Sequence, residues 1–240
     1  GRDMAAQHER NLQDLAAYFG RPYAQVNQQY WHSVPAVVEE WRAKNPRSEA
    51  QIKAFYAETT GYIYNLTNWH ALEGRRDWPL FIGRLCDEHG VRTVLDYGCG
   101  VADDAMALVE RGFAVTAVDF EGRTLDFARW RAARTGSPVT IQAIETEADV
   151  TGTFDALVCF DVVGHVRRPI EFLKRLMPRV AVGGLIIVSN DCDDMRGEHP
   201  MHLPENNDKF EQVFTAFEAD GAWVEVAAQE PITVYRREAP

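Results

Sequence analysis

No stretch of this 240-residue chain approaches the roughly 20 consecutive apolar residues that a membrane helix needs. No basic, apolar and small-residue leader opens it, and Gly1-Arg2-Asp3 ahead of Met4 reads as a leftover of expression cloning. Basic residues are few for the acid present: 25 Lys and Arg stand against 36 Asp and Glu, a net charge of -11. Such a field repels phosphate backbones and disfavours a nucleic-acid partner. Arg129, Arg131 and Arg134 are a local exception, with the ordinary reading of a solvated helix face. Cysteine is scarce. Cys86, Cys99, Cys159 and Cys192 form no CxxC pair, which excludes a disulfide framework and suggests a reducing, cytoplasmic compartment. There is no repeat and no low-complexity tract.

What is present is an ordinary apolar fraction of 46%, enough for one α/β domain with a smaller cap. Two textures divide the chain. Residues 4–85 carry helix-period apolar patterns and many aromatics. Leu12, Leu15, Ala16 and Phe19 mark one helical face ended by Gly20; Pro35 starts a second helix that stops before Asn45-Pro46. Ser48 caps a third, ended by Gly61. Tyr62 to Leu72 reads as a fourth, and Trp78-Pro79 opens a fifth that Gly90 ends.

Residues 86–240 alternate strands with helices. Strands are expected at Val91–Leu95, Phe113–Val118, Val139–Ala143, Phe154–Phe160 and Leu185–Ser189. Helices are expected at Asp103–Arg111, Gly122–Arg134, Pro169–Leu176 and Asp208–Phe217, with a closing hairpin of Trp223–Ala227 and Ile232–Tyr235. The alternation predicts an α/β fold: a Rossmann-like, mostly parallel sheet with helices on both faces, under an N-terminal helical cap.

The strongest local signal is Val94-Leu95-Asp96-Tyr97-Gly98-Cys99-Gly100. A buried strand ends in a carboxylate, then two glycines allow a tight turn and close approach of a ligand to the backbone. A second acid, Asp119, ends the next strand, placed to accept from both ribose hydroxyls of an adenine nucleoside. These features indicate an adenosyl cofactor without saying which. Asp103 stands where a dinucleotide site would want its third glycine, at a helix start where a pyrophosphate needs positive potential. That disfavours NAD.

In these residues the chain resembles the class I S-adenosylmethionine-dependent methyltransferases, particularly their small-molecule members. Asp96, Gly98 and Gly100 match the family's first motif, with Ala102 in place of a frequent third glycine, and Asp119 matches its second acid. Phe154 to Val166 resembles its fourth-strand segment and Gly183 to Ser189 its fifth. The resemblance implies S-adenosylmethionine as cofactor: Gly98, Gly100 and Asp96 at its methionine part, Asp119 on the ribose, Phe120 against the adenine, and Glu145 at the adenine edge. Phe160 ends the fourth strand beside them. Quinone O-methyltransferases of this type resemble Glu-x-x-Glu-His where this chain has Asp161, Gly164 and His165, so one acid is missing and no metal is expected.

His165 is a candidate general base, its imidazole titrating near neutrality; the competing reading is a structural histidine. Tyr56, Tyr64, Trp69 and His70, interleaved with Asn65, Thr67 and Asn68, have the apolar-and-polar mixture of a substrate pocket, although helix packing would explain some of them. His202 belongs to a loop expected at the same sheet end. Asp191, Cys192, Asp193 and Asp194, with His199 and His202, have metal-binding types in no metal-binding spacing. The expected activity is methyl transfer to a small organic acceptor on O, N or C. A protein or carrier-bound acceptor, and a non-catalytic adenosyl-binding subunit, stay open, as does the oligomeric state.

Overall fold

A computed structural model describes residues 3–189, 200–202 and 221–239. Nine α-helices and seven strands are found among them. The expected helix at 208–217 and the Asp191–Asp194 and His199 group lie outside the described residues.

The sheet is built from β1 (Thr93–Tyr97), β2 (Ala114–Phe120), β3 (Thr140–Ile144), β4 (Phe154–Cys159), β5 (Val180–Ser189), β6 (Trp223–Gln229) and β7 (Ile232–Arg237), in the order β3-β2-β1-β4-β5-β7-β6. The first five run parallel, and β7 lies antiparallel between β5 and β6. The central strands are buried nearly throughout: Val94, Leu95, Ala156, Leu157, Val158, Leu185, Ile186 and Ile187 are all fully covered. Unbroken apolar runs are what a sheet covered on both faces requires. One face packs Ile82, Cys86, Ala105, Leu108, Leu125 and Ala128; the other packs Phe172, Leu173, Leu176 and Met177. Strand β5 begins at Val180, five residues before the expected start. Gly183 reads as a turn residue in sequence and takes a left-handed φ of 81°, yet the strand continues through an irregular register beside Phe154 and Ala156.

Between the strands lie α7 (Asp103–Glu110), α8 (Arg123–Thr135) and α9 (Pro169–Leu176). The N-terminal half forms α1 (Met4–Phe19), α2 (Tyr23–Trp31), α3 (Ser33–Lys44), α4 (Glu49–Glu58), α5 (Gly61–Trp69) and α6 (Trp78–Glu88). Local signals set most boundaries. Asp3 caps α1 by accepting from the Ala5 and Ala6 N–H groups, so it takes part in the fold. Gly20 ends that helix in the left-handed conformation, and Ser48 and Gln51 form a capping box on α4. Helix α2 was not expected, since only Val26 and Tyr30 of it are buried. The Trp78 helix, read with the cap, packs as α6 inside the sheet's own core through Trp78, Ile82, Leu85 and Cys86.

Helices α1, α2 and α5 share a separate core of Leu12, Leu15, Val26, Tyr30, Ile63 and Tyr64, seated on Val101 and Phe127. This leaves α4 and α5 over the carboxyl ends of β1, β2 and β4, where Gly122 meets α4 so closely that a Cβ there would lie 2.6 Å from the Ala57 backbone. The arginine cluster on α8 is not a solvated basic face. Arg131 is buried, with both terminal nitrogens 3.0 Å from Asp103; Arg129 pairs with Glu121 and Arg134 with Asp14.

Candidate active site

A cavity of about 280 Å³ opens at the carboxyl ends of the strands, where ligands of open α/β sheets bind. Its floor is the turn after β1. Gly98 has φ 74° and Gly100 φ 52°, a region that side chains with a Cβ disfavour. Space is also short: a Cβ on Gly98 would stand 2.3 Å from Val162 Cγ2, and one on Gly100 2.8 Å from Leu66 Cδ1. Ala102 occupies the left-handed region too, φ 59°, where the resemblance leads one to expect glycine; its methyl is fully buried and the turn is kept.

Two carboxylates flank the turn. Asp119 accepts from the Gly100 N–H at 2.8 Å through Oδ2 and from the Phe120 N–H at 2.7 Å through Oδ1. It therefore ties β2 to the glycine turn as well as facing the cavity. Burial raises its pKa, and these two N–H donors oppose the rise. Asp96 is 4% exposed, accepts from the Ala105 N–H, and has an Oδ2 with no hydrogen-bond partner among the described residues. Burial, reinforced by Asp104, pushes its pKa well above the usual carboxylate range. A buried oxygen of this kind, aimed into a cavity, is satisfied by a donor from a ligand.

Phe120, Glu145, Phe160, His165, Tyr56 and His70 all line this cavity. Glu145 is nevertheless engaged: its carboxylate, 74% exposed, pairs with Lys53, whose ammonium also sits 4.7 Å over the Phe120 ring. His165 Nδ1 lies 3.0 Å from the Met201 carbonyl and 3.0 Å from the Tyr56 hydroxyl. A carbonyl only accepts, so Nδ1 is the donor in that contact. Tyr56 in turn donates to the Tyr62 hydroxyl. Burial first, and then the fields of Asp161 and Asp119, hold Tyr62 far above the ordinary phenol range; it stays a neutral hydroxyl. His202 stacks edge-on to His165 at 4.8 Å, behind the lining.

Besides His202, two more expected substrate residues are not at the cavity wall. Tyr64 turns into the core of the cap and stacks on Phe19, ring centroids 5.0 Å apart. Trp69 stands behind the wall and donates its indole N–H to Asp161 at 3.0 Å. Helical spacing puts all these aromatics on one helix, but which of its faces meets α1 is decided by docking. Replacing Tyr64 by Leu should lower stability by about 1–2 kcal/mol through lost ring stacking and packing. Affinity of the folded protein for S-adenosylhomocysteine should not change; a parallel loss of affinity would place Tyr64 at the site after all.

The sequence reading missed Arg75, Asp104 and Asp161. Arg75 has a side chain only 2% exposed and grips Asp104 with two bonds of 2.9 and 2.6 Å, its guanidinium 4.3 Å over the Trp78 ring. No local pattern announces a pair separated by 29 residues. Among the described residues no group of three or more His, Cys, Asp or Glu side chains is arranged to hold a metal ion.

The comparisons with known proteins fit this geometry. A family model described as a methyltransferase domain matches residues 30–223. The chain belongs to that family. Among curated relatives, a glycine N-methyltransferase of Oryctolagus cuniculus is 30% identical over 154 residues, covering 49% of this chain and 52% of the relative. A ubiquinone biosynthesis O-methyltransferase of Idiomarina loihiensis is 37% identical over 101 residues, covering 41% and 42%. The methyltransferase chain thus spans about half the length of the curated relatives it matches. In fold it is similar to magnesium protoporphyrin IX methyltransferase from Synechocystis PCC 6803, solved with bound S-adenosylhomocysteine: TM-score 0.60 at 14% identity, covering 80% of this chain and all of that one. S-adenosylmethionine is the cofactor of this fold. The glycine turn and the orphaned Asp96 oxygen fit it: a backbone with no Cβ to obstruct approach, and a buried acceptor for an ammonium.

Proposed function

We propose that this protein transfers a methyl group from S-adenosylmethionine to a small organic acceptor, in the space between the glycine turn and the α4–α5 roof. The observation that carries the reading is the unpartnered Asp96 oxygen beside Gly98, Gly100 and Asp119 in one cavity. Asp96 would take the cofactor's ammonium, the Gly98–Gly100 backbone its methionine part, and Asp119 its ribose hydroxyls. Phe120 would pack on the adenine, with Phe160 closing the floor. Lys53 already pairs with Glu145, and the Glu145 and Thr146 N–H groups donate to Asp149, so this segment would border the adenine as a rim held by its own contacts.

The bound cofactor supplies an electrophilic methyl on a sulfonium. The protein's task is to align an acceptor with it and keep water out. Residues 4 to about 77 act as the cap, and Tyr56, Tyr62 and Leu66 present its apolar surface to the cavity. His165 is the proposed base. The Met201 carbonyl and the Tyr56 hydroxyl hold its ring at the cavity wall, where it would take the acceptor's proton. Acidic partners on Arg129, Arg131 and Arg134 of α8 support an acceptor other than a nucleic acid. Cys86, Cys99 and Cys159 form no disulfide among the described residues, in keeping with a reducing, cytoplasmic setting. No described helix is long and apolar enough to cross a membrane.

Calorimetry tests the core of this reading. S-adenosylhomocysteine should bind and NAD should not. Asp119→Ala should weaken binding by about 1–3 kcal/mol, since the ligand's hydroxyls and the Gly100 N–H would both lose their acceptor. Tight NAD binding without S-adenosylhomocysteine binding would sink the assignment. Incubation with S-adenosylmethionine and metabolite extracts, followed by a search for masses raised by one methylene, would identify the acceptor.

A further inference from the structure

We propose that Asp161 is the acceptor-recognising carboxylate of this site, and that the acceptor presents an amine to it, as an ammonium, rather than a carboxylate or phosphate. This rests on the methyltransferase reading above and adds a substrate class to it.

The backbone is the first sign. Asp161 lies two residues past the end of β4 and has φ 54°, the left-handed region, which residues other than glycine rarely occupy. Such strain persists where surrounding contacts over-determine it, and it clusters at ligand sites. Here the contacts can be named. The Asp161 N–H donates to Ser189 Oγ at 2.8 Å, and that hydroxyl lies 3.3 Å from Oδ1. On the other oxygen, Oδ2 accepts the Trp69 indole N–H at 3.0 Å. The side chain is 23% exposed and lines the cavity. A carboxylate has about four acceptor positions. Trp69 and Ser189 use two, and Arg75 Nε, at 3.6 Å, is too far for a hydrogen bond. The carboxylate is aimed and held, with acceptor capacity left over toward the cavity.

The surroundings set the sign of the ligand. The deep wall carries Asp96, Asp104, Asp119 and Asp161 against the single guanidinium of Arg75, which is already committed to Asp104. His70 points Nδ1 at the Leu66 carbonyl and Nε2 toward Asp104, so it too is turned to the protein. At the rim, Lys53 pairs with Glu145, Arg175 with Glu147, and Arg167 donates to the Arg47 carbonyl; the exposed Arg168 is the remaining arginine of that rim. An anion entering the deep end would meet no uncommitted cation. A cation would meet Asp161 and the rings of Tyr56 and Tyr62, which lie edge to face with centroids 5.2 Å apart and stay neutral. An ammonium must shed one proton before its nitrogen lone pair can attack, and His165 on the same wall is the base already assigned to that step.

The test uses the full chain saturated with S-adenosylhomocysteine and two probes of one shape, benzylamine and benzoate. Benzylamine should bind saturably, and benzoate at least tenfold more weakly. Asp161→Asn should weaken benzylamine tenfold or more while changing S-adenosylhomocysteine affinity less than threefold. Asparagine suits the left-handed backbone and can still accept from Trp69, so this variant should fold. Should it melt below the assay temperature, Asp161→Gly, which fits the same φ, carries the same comparison. Benzoate binding as tightly as benzylamine, or benzylamine affinity unchanged in the folded variant, would overturn the proposal. Failure of S-adenosylhomocysteine itself to bind would overturn the methyltransferase reading instead.

Discussion

Replacing Arg75 by Met should destabilise the protein by about 3–5 kcal/mol, because it leaves the Asp104 carboxylate buried without its bidentate partner. Methionine keeps the stem's packing against Trp78, so the loss reports charge more than volume. The pH dependence separates the two causes. In the native protein burial would raise the Asp104 pKa, but Arg75 and then His70 overcome this and hold it well below the usual carboxylate value. A depressed folded pKa gives stability that is present above the unfolded value near 3.9 and lost as pH falls below it. Without Arg75 the folded pKa moves above the unfolded one, and the sign reverses. The variant should be nearest the native protein at about pH 5 and fall further behind it toward pH 8. Chemical denaturation at both pH values measures this, and a gap independent of pH would mean that packing, not charge, was lost. Adding Asp104→Asn should recover part of the loss, since both charges are then gone.

Gly98→Ala should nearly abolish S-adenosylhomocysteine binding and cost the fold about 2–5 kcal/mol. Two effects add. The left-handed φ of 74° costs an alanine about 1–2 kcal/mol, and the new methyl collides with Val162 Cγ2, an overpacking that costs about 1–3 kcal/mol. Valine is stiff at χ1 and cannot simply swing aside. The two terms can be told apart by the double variant Gly98→Ala/Val162→Ala, which removes the collision and keeps the backbone strain. It should regain roughly half of the lost stability. Full recovery would show that the backbone conformation is easily met by alanine, as it is at the neighbouring Ala102, and no recovery would show that Val162 is not the obstacle.

These two variants mark the limits of what could be read from the chain. The glycine turn, Asp96 and Asp119 are legible because a strand end, a tight turn and a helix start are written in consecutive residues. The sheet is legible for the same reason: its strands are unbroken β-branched and aliphatic runs, and the boundaries expected for β1 to β4 fall within two residues of those found. Helix α2 is hidden because too few of its residues are buried to draw a periodic stripe. Tyr64 is misread because period alone does not say which of two aromatic faces docks on α1 and which roofs the cavity. Arg75 and Asp104 are invisible because their meaning lies in a non-local encounter, and Asp161 because its strain and its three contacts come from α5, β5 and the turn before α6.

The placement of β7 has a consequence for how the molecule comes to exist. Strand β6 emerges from the ribosome before β7, yet within the sheet its partner is β7, which also supplies the flank of β5. While synthesis passes through β6, β5 therefore keeps an open edge and β6 has nothing to pair with. An exposed strand edge is a template for adhesion to other chains. Closure must wait for the hairpin to form and slide in as a unit, a late and non-local event of the kind that slows folding. Strands β1, β2 and β4, whose carboxyl ends border the cavity, need none of this and can be assembled earlier. The growing chain thus passes through a stage in which the ligand cradle is formed and the sheet is still unsealed, and a ligand that binds the cradle at that stage would hold the open form together until the hairpin arrives.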